Sequence, residues 1–186
     1  MGTRVTFNSP VVLSFVILSG LALLANYMTL GFTNQMFFVT GGSSLFNPLT
    51  YLRMFTHVLG HADMSHYFNN MLLFILLGPM LEEKYGSFRL IIVIAATAVV
   101  TAVLNRILTD TGLIGASGVV FAFIILASMT SFKEDEIPLT FIIVLVLYLG
   151  REVLNGLFSF DNVSQMAHLI GGVCGAVAGY CFTSKN

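Results

Sequence analysis

Gly112-Leu-Ile-Gly-Ala-Ser117-Gly118-Val-Val-Phe121 opens an apolar run that ends at Phe132. Gly112 and Gly115 mark a turn, and Ser117 stands where a helix begins. The 16 residues from Ser117 to Phe132 predict about 24 Å of helix, against a hydrocarbon core about 30 Å thick. Lys133, Glu134, Asp135 and Glu136 are expected to hold the far end in water. The serine end is then expected several ångströms beneath the opposite surface. A serine at a helix start most often caps it. A hydroxyl at a glycine turn inside a membrane also admits a chemical role, and the rest of the chain decides between the two.

At 186 residues, 56% apolar and 9% charged, the composition is that of a membrane protein and excludes a soluble domain. Apolar stretches of spanning length recur at about 10–30, 66–81, 88–108, 117–132, 137–154 and 163–182. The expected fold class is an all-α polytopic bundle of six transmembrane helices forming one domain over 1–186. The first span is followed by others and shows no small-residue cleavage site, so it does not read as a signal peptide. The Met1-Gly2 start fits an acylation pattern, but a six-span protein gains little from one acyl chain. With a net charge of −1 and no basic cluster, nucleic acid is not an expected partner.

Cys174 and Cys181 lie seven apart on one predicted helix and cannot pair with each other. With a cytoplasmic N-terminus, the inner segments hold Arg4, Lys84, Arg89, Lys133 and Lys185, and the outer ones Arg53, Arg106 and Arg151. Five against three favours the N-inside orientation. The expected setting is a bacterial inner membrane.

Residues 31–65 are too apolar for a free linker, and Gly41-Gly42 and Asn47-Pro48 divide them into short pieces. They are expected to lie half-sunk at the interface and pack on the bundle. In the second span, Gly78-Pro79-Met80-Leu81-Glu82 is read as the end, with Glu82, Glu83 and Lys84 entering water. The last span carries Ala167, Gly171, Gly175 and Gly179 at steps of four, and span four has Gly118 and Ala122. Such small residues let two helices approach closely.

Polar residues inside a membrane are functional candidates by default. Spans two, four and six enter from the same side. His66 and Asn70 begin span two, Ser117 begins span four, and His168 lies near the start of span six. All four polar groups thus fall on one side at similar depth. A hydroxyl, an imidazole and further donors are what serine-type acyl transfer needs. Asp161 is the carboxylate nearest His168 in sequence and is expected at the surface, which implies a dyad rather than a triad.

These residues resemble the rhomboid intramembrane serine proteases. Gly115-Ala-Ser117-Gly118 is similar to the family's Gly-x-Ser-Gly nucleophile motif, and His168 with Gly171 and Gly175 to its His-x-x-Gly-x-x-x-Gly helix. His66 and Asn70 correspond to its His-x-x-x-Asn pair, Arg53 with His57 and His61 to its loop signature, and Gly78 with Glu82 to its Gly-x-x-x-Glu. The resemblance implies a Ser117–His168 dyad with an oxyanion site of His66, Asn70 and the Ser117 N–H. It implies transmembrane segments of other membrane proteins as substrates, among membrane lipids, with span five as a lateral gate and no cofactor. Two positions depart from the pattern: Leu52 where many members carry tryptophan, and Phe121 where a tyrosine commonly packs on the imidazole.

Plainer readings compete. His57, His61 and His66 have spacings that would suit zinc, but Asp63 is the only further ligand type nearby, so no metal is expected. His57 and His61 read as loop tie-downs, Arg53 as a donor to loop carbonyls, and Glu82 as a helix-end group. The rival class is a catalytically inactive rhomboid-like protein that binds transmembrane clients; retention of both Ser117 and His168 argues against it. A transporter would need repeated broken spans or intramembrane carboxylates.

Overall fold

The computed structural model describes residues 6–109, 111–130, 137–158 and 162–183. The described residues form eight helices and no strand: α1 (Pro10–Met28), α2 (Phe32–Phe37), α3 (Pro48–Thr56), α4 (Met64–Tyr85), α5 (Ser87–Leu108), α6 (Ser117–Ser128), α7 (Leu139–Phe158) and α8 (Asn162–Thr183). Three of them are long and apolar enough to cross a membrane, over Pro10–Met28, Ser87–Leu108 and Gln165–Phe182. The expected water-facing residues 133–136 and Asp161, and Arg4 and Lys185 of the charge count, lie outside the described residues.

α6 is the central post. Val119, Val120, Ala122, Phe123, Ile125 and Leu126 are all buried, as expected of a helix that is apolar on every side. It packs on α4, α5, α7 and, most extensively, α8. On α4, Phe74 stacks on Phe15 of α1 at 4.4 Å between ring centroids and meets Phe123 of α6 at 4.8 Å. This aromatic column ties three helices through one fully buried side chain.

The α6–α8 contact is between backbones. A Cβ added at Gly171 would overlap the Gly118 carbonyl, and one at Gly175 the Ala122 carbonyl. The stripe of small residues therefore does what its spacing predicts. Farther along, Gly179 lies under the Met129 side chain.

Three expected boundaries differ by four residues, among them the end of α7, at Phe158 rather than Leu154. α6 ends at Ser128 rather than Phe132, so its 12 residues span about 18 Å instead of about 24 Å. The last turn is closed by side chains: Ser128 donates to the Ile125 carbonyl and Thr130 to that of Ala127, each at 2.7 Å. The Lys84 ammonium takes the Thr130 carbonyl.

α4 runs on through Pro79 to Tyr85, and Glu82 is buried rather than in water. The reason is α1. Its start carries Pro10 at the first turn, and Ser9 makes no side-chain capping bond. Glu82 supplies the cap instead, accepting from the Val11 N–H at 3.0 Å, the Val12 N–H at 3.1 Å and the Ser87 hydroxyl at 2.6 Å. A carboxylate at a helix N-terminus satisfies donors the helix cannot, so one side chain joins α1, α4 and α5.

Residues 31–63 form α2, α3 and connecting loops that pack on α1 and α5. Gly31, at φ 94°, turns the chain out of α1, a conformation suited to glycine. The Asn47-Pro48 pair divides the segment by starting α3, with the Asn47 side chain accepting from the Leu49 N–H at 3.0 Å.

Gly171→Ala is expected to destabilise the bundle by about 1–3 kcal/mol, the usual cost of overpacking. In an ordinary helix interior the same change stabilises by about 1 kcal/mol. Thermal unfolding in detergent reads the sign, and an unchanged or raised Tm would contradict the close approach.

Candidate active site

Ser117 is the first residue of α6, and Ala116 before it occupies the cap position with no side-chain capping bond. The reading of Ser117 as the cap is thus not the one adopted. The first helical bond runs from the Val120 N–H to the Ala116 carbonyl at 2.9 Å, so the amides of residues 117–119 precede the ladder. Ser117 is half-buried, whereas Ala116 and Gly118 on either side are buried.

Gly115, at φ 118°, makes the turn into α6, and a Cβ there would lie 2.5 Å from Cε1 and 2.6 Å from Nε2 of His66. Glycine is required twice, by the backbone angle and by the imidazole above it. The Gly115 N–H donates to the His57 carbonyl at 2.9 Å. His66 itself is placed by Asp63, which caps α4 by accepting the His66 N–H at 2.8 Å. One turn deeper, buried Asn70 donates one amide hydrogen to the His66 carbonyl at 3.0 Å. An amide carries a second donor hydrogen. Asn69 beside it is exposed.

His168, on α8, stacks on Phe121 with ring centroids 4.1 Å apart and 13° between planes. Phe121 lies four residues beyond Ser117 on the same face of α6. The Ala167 carbonyl is 3.2 Å from a Cβ built on Gly118, so α8 touches α6 at the turn that bears Ser117. The imidazole therefore packs on a residue about one helical turn beyond Ser117. His66, Gly115, Ser117, Phe121 and His168 gather at one end of α4, α6 and α8, with Asn70 just below. Gly118, Gly171 and Gly175 form the contact that holds the two helices together.

Arg53 and Glu82 lie elsewhere. Arg53 donates from Nε to the Met36 carbonyl at 2.9 Å and fastens α3 to α2. Glu82 caps α1 at the other end of α4. His57 donates from Nε2 to the Ala98 carbonyl on α5 at 3.0 Å, and His61 from Nδ1 to that of Leu59 at 3.2 Å. The His61 ring meets that of His66 edge-on at 5.1 Å. Among the described residues no three His, Cys, Asp or Glu side chains are placed to hold a metal.

Sequence reasoning missed the bracing beneath the turn. Thr40 bridges residues 39–41 to the segment leading into α6: its N–H donates to the Leu113 carbonyl at 3.1 Å, and its hydroxyl accepts the Leu113 N–H at 3.3 Å. A Cβ on Gly41 would overlap the Thr111 carbonyl. The paired glycines at 41 and 42 were the available signal, legible only as a break.

Apolar helices of membrane length, arranged around a short buried one, define a multi-pass integral membrane protein. The chain belongs to the rhomboid family: the family model described as Rhomboid domain matches residues 48–185. It is similar to the Rhomboid protease GlpG of Haemophilus influenzae, 23% identical over 131 residues, which are 69% of this chain and 68% of that protein. It is also similar to the Putative rhomboid protease YdcA of Bacillus subtilis, 29% identical over 126 residues, 66% of this chain and 62% of that protein.

Burial lowers the pKa of His57 and of His61 from 6.5 to about 4, so both are neutral at pH 7. The unfolded chain binds protons at these groups below about 6.5, where the folded state does not. Their neutral forms support the fold fully above that pH, and the support is lost as pH falls toward 4. The Tm in detergent is expected to be level above pH 7 and to drop between pH 6.5 and 4. His57→Gln, which keeps a donor for Ala98 but cannot titrate, should make that acid limb shallower; an unchanged limb would show that His57 does not set it.

Proposed function

We propose that this chain is an intramembrane serine endopeptidase that cleaves transmembrane segments of other membrane proteins. The observation that carries the reading is the His168 ring stacked on Phe121, one turn from Ser117, at a backbone contact only glycines permit. The proposed architecture is six spans, α1 and α4–α8, with the N-terminus cytoplasmic in a bacterial inner membrane and α7 as the lateral gate.

In the proposed reaction the Ser117 hydroxyl attacks a peptide carbonyl while His168 takes its proton. The C–N bond then breaks, and His168 returns the proton to the departing amine. Water attacks the acyl-serine, giving its proton to His168, and Ser117 leaves reprotonated with the carboxylic product free. The oxyanion of each tetrahedral intermediate is assigned to the Ser117 N–H, the His66 imidazole and the second amide hydrogen of Asn70. The start of α6 adds its partial positive charge there. Phe121 retains the ring surface against His168 without a hydroxyl, which suffices to orient the imidazole by stacking.

Cleavage of a transmembrane substrate in reconstituted vesicles tests the proposal. Ser117→Ala is expected to abolish it with the fold retained, and cleavage that survives would sink the serine mechanism. Asn70→Ala should lower kcat by roughly 10²–10³, as removal of one oxyanion donor does, while costing stability only about 1 kcal/mol. Exposed Asn69 serves as the control, and Asn69→Ala should leave kcat within a few-fold. Were Asn69→Ala the more damaging, or Asn70→Ala harmful only through unfolding, the oxyanion assignment would be wrong.

A further inference from the structure

At the end of the bundle opposite Ser117, two cavities of opposite character meet. One is a polar cleft of about 570 Å³ lined by Asn8, Ser9, Glu82, Glu83, Gly86 and Ser87, among others. The second is an apolar groove of about 540 Å³ between α1 and α5. Pro10 and Ser87, the first residues of those helices, line both. The groove runs along Ser14 and Leu18 on one wall and Ile91 and Ala95 on the other, and Phe55, Val58 and Leu59 close its far end.

The dimensions fit one class of molecule. From Pro10 to Leu18 is eight helical steps, or about 12 Å, close to half of a hydrocarbon core about 30 Å thick. Both walls are helices of membrane-spanning length and apolarity, so the groove opens into lipid and the cleft lies at the surface from which those helices start. A polar chamber leading into an apolar slot one leaflet deep matches a headgroup joined to an acyl chain.

Charge narrows the headgroup. Among the described residues no Lys or Arg lines the cleft, which disfavours a purely anionic lipid. Glu82 already accepts three hydrogen bonds. Glu83 is exposed and lines the cleft, leaving its carboxylate for a cation, while the Asn8 amide and the Ser9 hydroxyl are donors suited to a phosphate.

We propose that the cleft and groove together bind one phospholipid with a primary-amine headgroup, phosphatidylethanolamine in type, its ammonium at Glu83 and one acyl chain between α1 and α5. This site goes beyond the protease reading and does not depend on it.

The chain contains no tryptophan, so a single introduced one reports locally. Leu18→Trp places it in the groove, Ile91→Trp on the facing wall as a second reporter should the first fail to fold, and Val177→Trp on the exposed face of α8 as the control. Each variant is reconstituted with increasing fractions of acyl-brominated phosphatidylethanolamine or phosphatidylcholine, whose bromines quench indole on contact. Half-quenching of the groove reporters is expected at an at least five-fold lower fraction of the ethanolamine lipid than at Val177→Trp. The choline lipid should show no such gap. Adding Glu83→Gln to the groove reporter should move the ethanolamine curve onto the choline curve. Superimposable ethanolamine curves at groove and control sites would overturn the proposal, as would equal preference for the two lipids or a preference that survives Glu83→Gln.

Discussion

The approach of α8 to α6 is the contact on which the rest of the site depends. Gly171 lies against the Gly118 carbonyl and Gly175 against that of Ala122, so the helices meet at main-chain distance. Lipid tails are as apolar as leucine, and close packing rather than water exclusion drives helix association in a bilayer. Side chains of ordinary size at these glycines would push α8 outward and carry His168 away from Phe121. The register that lets two carbonyls nest against glycines also sets the imidazole against Phe121 of α6.

The turn into α6 is fixed from the other side. The Gly115 N–H donates to the His57 carbonyl, Thr40 exchanges bonds with Leu113, and the His66 ring covers Gly115. His57 is in turn held to α5 through Ala98, and Asn34 donates to the His61 carbonyl at 2.8 Å. The buried side chains of Asn34, His57 and His61 each find one main-chain acceptor, while Asn34 Oδ1, His57 Nδ1 and His61 Nε2 have no hydrogen-bond partner among the described residues. The segment between α1 and α4 thus serves as a scaffold for the serine turn, which explains why so long a connection is so well packed.

Much of this was legible because polar residues are scarce in so apolar a chain. Ser117, His66, Asn70 and His168 stood out against their spans, and counting crossings put them on one side. The period-four stripe on α8 and its counterpart at Gly118 and Ala122 announced the packing. Glu82 was misplaced because its partners, the amides of Val11 and Val12, lie some 70 residues away, and a glutamate before Lys84 otherwise reads as solvated. The end of α6 was missed because Ser128 and Thr130 close the turn with local hydroxyl bonds that composition does not weigh. The His57–Gly115 bond left no trace, since a main-chain pairing imposes no residue type on its acceptor.

The most direct test of the central claim is labelling of the detergent-solubilised protein with a fluorophosphonate, followed by mass-spectrometric mapping of the adduct. If α8 delivers His168 to the serine at the start of α6, the wild-type chain is labelled at Ser117 and His168→Ala abolishes the adduct while the Tm holds. An adduct at another residue, or one at Ser117 that forms equally fast without His168, would contradict the account.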